Sequence, residues 1–173
     1  MEDIYFPIGK FNYKENYTKE DLENWILELK NFPEDLNLFL KNLTKEELNS
    51  KTRLGVWTVA QVVNHIADSH MNAFIRVKLA ITENIPTIKP YDETKFAITQ
   101  DSILSFQDSI LILRGLHSRW ASLFGSLNQD DWAKKYYHPE LKKEVQISEV
   151  LQSYVWHGQH HLAHIKTVKY TND

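Results

Sequence analysis

From Thr58 to Ile81 the chain carries Val59, Val62, Val63, Ile66, Ala73, Phe74, Val77 and Ala80. These positions recur three and four apart, which is the spacing of one face of an α-helix. An apolar stripe that long must be buried against other elements, and few architectures do so. The start of the segment is marked as well. Thr58 and Gln61 form a T-x-x-Q capping box, and Trp57 before the cap is placed to pack on Val62.

Three further segments repeat this pattern. Thr18, with Asp21 in the first turn, opens a helix carrying Leu22, Trp25, Ile26 and Leu29. Leu36, Phe39, Leu40 and Leu43 continue it past Pro33, a residue expected to kink or divide the helix. Thr44 and Glu47 make a capping box for a short helix. A third long helix is expected over about 102–124, and a fourth after Ser148, as N-cap, to about Lys169. Residues 82–101 (TENIPTIKPYDETKFAITQD) hold two prolines and no clean period, so they read as a long crossover loop of the kind often used for function. Residues 125–147 are mixed: Asn128 or Gln129 opens one short helical turn, and YYHPELKKEVQI carries a little extended chain. Four long helices, with only five glycines and five prolines in 173 residues, predict an all-α four-helix bundle with long crossover loops, one domain over 1–173.

Composition excludes several classes of function. A net charge of −3 and the absence of a Lys/Arg block argue against a nucleic-acid partner. No apolar run approaches the ~20 residues of a membrane span. The opening MEDIYFPIGK is acidic and lacks the apolar core of a signal peptide. A cytoplasmic protein is expected. With no cysteine, disulfides, thiolate metal sites and a cysteine nucleophile are ruled out within the chain.

The histidines carry the chemistry. YVWHGQHHLAHIK, residues 154–166, holds four of the eight. With His157 set to zero, at about 100° per residue, Val150, Leu151, Tyr154, Val155, Leu162, Ile165 and Val168 centre at about 85°. Gly158 falls in the middle of that face, where it would let another helix approach closely. His161 lies at about 40°, His164 at about 340° and His160 at about 300°. His157 and His161 therefore flank the buried face, four residues apart and stacked, so that both can grip one ion. His164 is further round and His160 is nearest solvent. On the second long helix a polar stripe of Gln61, His65, Ser69, Asn72 and Arg76 borders the apolar face. Such side chains need partners or line a wet cavity. His65 sits in this stripe as the natural third ligand.

A lone histidine on a helix flank is usually structural. Four within eight residues, with a best pair beside the core and a match on another helix, shift the balance to a site. His70, at about 140° from His65 and so facing the apolar side, reads as structural, as do His117 and His138. Asn64 and Asp68 project away from the apolar centre and read as solvated or supporting groups. Three neutral imidazoles suit zinc and similar divalent ions and leave a position for water or substrate. The ion lowers the pKa of a water or thiol bound there. Arg76 and Asn72, sharing the stripe, are candidate substrate-binding residues. No catalytic side chain beyond the metal centre is expected.

At these residues the chain resembles the DinB/YfiT-like metalloenzymes, in their YfiT (BstA) branch. The matching stretches are YFPIGKF, GVWTVAQVVNHIADSHMNAFIRVKLAITENIPTIKPYDE, LHSRW, YYHPE and YVWHGQHHLAHI, in family order along nearly the whole chain. GVW departs from the pattern, where a second glycine is expected in the turn before the helix. The resemblance implies a four-helix bundle, often a homodimer, with one zinc- or nickel-type ion per chain. Its ligands carry over as the first histidine of NHIADSH, His65, and the first and last histidines of HGQHH, His157 and His161. Helical geometry selects the same three.

The family was first described as metal-dependent hydrolases, and the YfiT branch is linked to bacillithiol S-transfer. The leading expectation is thus a metal-dependent S-transferase with two small-molecule partners, a bacillithiol-like thiol and an electrophile. Arg76, helped by Asn72, would anchor a carboxylate of the thiol. A hydrolase activating water at the same ion is the alternative, although no glutamate follows a ligand as in H-E-x-x-H. A non-enzymatic, stress-associated metal-binding protein is the third reading.

Overall fold

The structure, a computed structural model, describes residues 4–52 and 56–170. Four long helices are present: α1 (Lys19–Leu40), α3 (Val59–Thr82), α6 (Gln107–Gly125) and α8 (Ile147–Lys166). Short helices lie between them: α2 (Lys45–Asn49), α4 (Glu93–Phe96), α5 (Gln100–Leu104) and α7 (Gln129–Ala133). Strands β1 (Lys135–His138) and β2 (Lys143–Gln146) form an antiparallel hairpin, with Tyr136 opposite Val145. A 3-10 turn, Thr167–Tyr170, follows α8.

The helix starts follow the capping chemistry. Reciprocal side-chain-to-backbone boxes close at Thr18/Asp21, Thr44/Glu47, Thr58/Gln61 and Asn128/Asp131, each satisfying amides that a helix start leaves orphaned. Three expectations are corrected. Pro33 does not divide α1, which runs through it with the proline buried. Residues 100–104 are the separate helix α5, and extended backbone at Ser105 divides it from α6, which begins at Gln107. Gln146, not Ser148, caps α8. Ser148 is buried inside its first turn, 2.8 Å from the Tyr13 hydroxyl. The turn containing GVW falls partly outside the described residues, which resume at Val56.

α1 packs against α6 and α8, and so does α3, so α1 and α3 sit across the bundle from each other. The crossover from α3 to α6 makes this possible, and it is pinned at both ends. Tyr137 of β1 donates its amide to the Pro86 carbonyl, and Ile88 donates to that of Tyr137. Gln61 donates to the Ala97 carbonyl, and Asn64 donates to those of Ser102 and Ser105 and accepts from the Ser109 hydroxyl. Asn64 is accordingly buried rather than solvated.

Two apolar clusters fill the bundle. One gathers Phe32, Leu36, Val59, Val63, Ile66, Leu113, Leu162 and Ile165. The other gathers Leu29, Phe74, Val77, Trp120, Phe124, Ile147 and Leu151. His70, His117 and His157 fall between the two sets along α3, α6 and α8, so a layer of imidazoles crosses the molecule. Among the described residues no helix is long and apolar enough to cross a membrane.

Candidate metal centre

His65 projects from the second turn of α3, and His157 and His161 from successive turns of α8. One ring nitrogen from each lies within 4.8 Å of the others. The ring centroids are 5.4 Å (His65 to His157), 4.8 Å (His65 to His161) and 4.4 Å (His157 to His161) apart. Nε2 of His157 and Nε2 of His161 are separated by 3.1 Å. Two nitrogens bound to one tetrahedral zinc, each at roughly 2.0–2.1 Å, stand about 3.3 Å apart. The pair is spaced for a shared ion with little adjustment.

The protonation state fits as well. Burial pushes the His65 imidazole down to about 4. Burial also holds His157 and His161 well below the ordinary histidine range, and the neighbouring histidines lower both further. All three are neutral at physiological pH and offer lone pairs, as metal ligation requires.

α8 offers a competing pair. Nε2 of His160 and Nε2 of His164 also lie 3.1 Å apart. What separates the pairs is the third histidine, since the three-nitrogen cluster forms on His157 and His161. The helical wheel placed His160 nearest solvent. Instead the Trp156 ring stacks on it at 4.4 Å and Phe6 approaches to 5.9 Å. The N-terminal segment runs along this side of α8: Trp156 Nε1 donates to the Gly9 carbonyl, and Lys14 and Gln152 exchange two hydrogen bonds. His164 is buried.

A cavity of about 260 Å³ opens beside His161. Trp57, Val62, Glu93, Thr94, His160 and His164 line it with His161. Glu93 and Thr94 belong to α4 of the crossover, a segment whose lack of periodicity concealed them in the sequence. The Trp57 ring lies 4.9 Å from that of His65 and forms a wall.

Arg76 and Asn72 sit away from this cavity. Asn72 donates to the Asp68 carbonyl of its own helix, 2.9 Å away. Arg76 is buried, with its guanidinium 6.0 Å from the Tyr91 ring and 3.4 Å from the Lys89 carbonyl. Among the described residues no carboxylate pairs with it. Tyr154 bridges the two regions: its hydroxyl is 3.4 Å from that of Ser69, and its ring is 5.5 Å from His157. The polar stripe of α3 is thus the seam on which the crossover and α8 dock.

His70 and His117, expected to be structural, are linked to a candidate ligand. Nε2 of His70 lies 3.1 Å from Nδ1 of His157, and Nδ1 of His70 lies 2.8 Å from Nε2 of His117. No sequence spacing signals this, because the three residues stand on three helices. His138 is remote, with its Nδ1 accepting from the Leu141 amide at 3.4 Å.

A four-helix bundle in which α3 and α8 bring three buried or half-buried imidazoles together has the arrangement of a candidate metal-binding site. The sequence profile of the DinB superfamily matches residues 28–165. A "Putative metal-dependent hydrolase" of Bacillus cereus (strain 03BB102) is 44% identical over 169 residues, covering 98% of this chain and 97% of that protein. A protein of the same description in Bacillus thuringiensis subsp. konkukian (strain 97-27) matches equally. The solved structure described as "YfiT from Bacillus subtilis is a probable metal-dependent hydrolase with an unusual four-helix bundle topology" superposes with a TM-score of 0.94 at 38% identity, over 98% of this chain and 97% of that one. The chain belongs to the DinB superfamily, among its YfiT-like members.

Proposed function

We propose that this chain is a metal-dependent enzyme, with His65, His157 and His161 as the ligands of one divalent ion, zinc or nickel, and that its reaction is hydrolysis. The observation that carries this reading is a single cavity lined by both His161 and Glu93. An ion held by these three imidazoles would lower the pKa of a water molecule bound to it. The rest falls to the chain. Glu93 faces the same cavity as His161 and takes the proton of the attacking water, then returns it to the leaving group of an ester or amide. Trp57 and Val62 limit water on the apolar side. H-E-x-x-H proteases place this carboxylate beside a ligand on one helix, whereas here it comes from α4. Sequence spacing alone therefore did not supply it. The curated relatives' descriptions support the same reading.

A second reading, S-transfer from a bacillithiol-like thiol to an electrophile, is favoured by one observation. Arg76 is a buried cation without a carboxylate among the described residues, which suits a substrate carboxylate. In that reaction the thiol gives its proton to solvent, sulfur bonds to the electrophilic carbon, and the bond from that carbon to the leaving group breaks, the group departing with the electron pair.

Zinc- and nickel-loaded protein should be assayed side by side, on ester and amide substrates without thiol, and on bacillithiol with monochlorobimane. Thiol-independent turnover establishes the hydrolase. Turnover only with thiol reverses the order of the two readings, and neither activity in a metal-loaded chain overturns the enzymatic reading. As the resemblance implies, we expect one domain per chain and a homodimer in solution, which light scattering reads directly.

A further inference from the structure

Leu29 lies four residues before Pro33 in α1. In an α-helix its carbonyl would accept the amide of residue 33, but proline has none. That carbonyl instead accepts from Nδ1 of His117, 2.5 Å away. A carbonyl oxygen only accepts, so the His117 proton is on Nδ1. A neutral imidazole has one N–H, so Nε2 of His117 is an acceptor. Nδ1 of His70, 2.8 Å from it, must donate. Nε2 of His70 is then an acceptor, and Nδ1 of His157, 3.1 Å away, donates to it. One tautomer remains for His157: the proton is on Nδ1, and the lone pair is on Nε2, the atom 3.1 Å from Nε2 of His161.

We propose that His117 and His70 form a directional imidazole relay, anchored on the Leu29 carbonyl that Pro33 leaves unbonded, which fixes the tautomer and ring orientation of His157 for metal ligation. His70 and His117 are positioning residues and touch no substrate. The inference rests on the three-histidine metal reading. A second proton on His117 would reverse every later link and place a proton on Nε2 of His157, where the lone pair is needed.

The surroundings hold the relay in line. The His70 and His117 rings lie within 11° of parallel, with centroids 4.9 Å apart, whereas the His70 and His157 rings are tilted by 47°, a twist that an N–H···N bond tolerates. Phe32 stacks over both, at 6.1 and 5.8 Å, and Trp120 meets both edge-on. Metal-ligating histidines usually give their second N–H to a carboxylate, carbonyl or water. Here two imidazoles extend that support across the bundle to a backbone carbonyl.

Long-range 1H–15N correlation spectra of the full-length protein, metal-free and zinc-loaded, read each tautomer directly. We expect His117, His70 and His157 all protonated on Nδ1 in both states. Protonation of His157 on Nε2 in the metal-free protein overturns the proposal. Zinc affinity is the second readout, with thermal melts confirming that each variant folds. His70→Leu removes the acceptor and should weaken zinc by about 10–100-fold. His70→Gln, whose amide oxygen can accept from His157, should stay within a few-fold of the parent chain. Equal affinities for all three overturn the proposal. A parent chain that does not bind zinc overturns the metal reading instead, and the metal-free spectra still decide the relay.

Discussion

Gly158 of α8 lies face-on to the ring of Phe32 in α1: a Cβ at 158 would stand 3.0 Å from Cε2 and 3.1 Å from two other ring carbons. The missing side chain lets Phe32 reach over His70 and His117. Gly158→Ala gains about 1 kcal/mol of helix propensity. It also drives a methyl group into a ring packed on all sides, which costs about 1–3 kcal/mol. A net destabilisation of about 1 kcal/mol is expected by denaturant unfolding. Phe32→Leu in the same chain should recover part of it. Stabilisation by Gly158→Ala would mean that the ring is free to move.

Bound metal distinguishes the two histidine pairs of α8. Protein purified without a tag or chelator should carry about one zinc or nickel per chain, the content of a three-ligand site. His65→Ala, His157→Ala and His161→Ala should each lose stoichiometric metal, whereas His160→Ala and His164→Ala should keep it. Mass spectrometry of the purified proteins checks this. Loss confined to the His160 and His164 variants would move the site to that pair.

Glu93 is exposed, so replacing it should leave the fold and the metal content unchanged. If it transfers the proton of the attacking water, Glu93→Gln lowers kcat for ester or amide hydrolysis by about 10²–10⁴-fold. Its KM should change little. Undiminished turnover would remove Glu93 from the mechanism.

Asp68 gives a pH dependence. Partial burial, with a smaller contribution from the Asp101 charge, raises its carboxyl from an ordinary value of 3.8 to about 6. Between those values the folded chain keeps a proton that the unfolded chain releases. Stability therefore falls as pH rises from about 4 through 6, then stays at the lower level. Asp68→Asn removes this loss. The variant should be more stable than the parent at pH 7.5, and the advantage should vanish below pH 4. Melting temperatures across that range test it, and an advantage that persists at low pH would give it another cause.

Thr18, Thr44 and Thr58 announced their helices because a cap and its partner lie within three residues of each other. His65, His157 and His161 were legible because i, i+4 spacing and an apolar stripe report a side chain's angle about its own helix axis. The hairpin appeared only as a little extended chain, since four-residue strands barely show a period. Glu93 was hidden in a crossover whose shape depends on Asn64, Gln61 and Tyr137 holding it from outside.

By itself, then, the sequence determined where the long helices run, which face of each is apolar, and which histidines border those faces. These are local consequences of backbone geometry repeating every 3.6 residues. The tertiary structure alone decided that α1 and α3 oppose each other, that Trp156 and Phe6 cover His160, and that His70 meets His117 on one side and His157 on the other. A wheel states the direction in which a side chain leaves its helix. Whether it then meets water, an apolar ring or another imidazole depends on packing between residues far apart in the chain, such as His70 with His117 and His157 or Phe6 with His160, which no local period records.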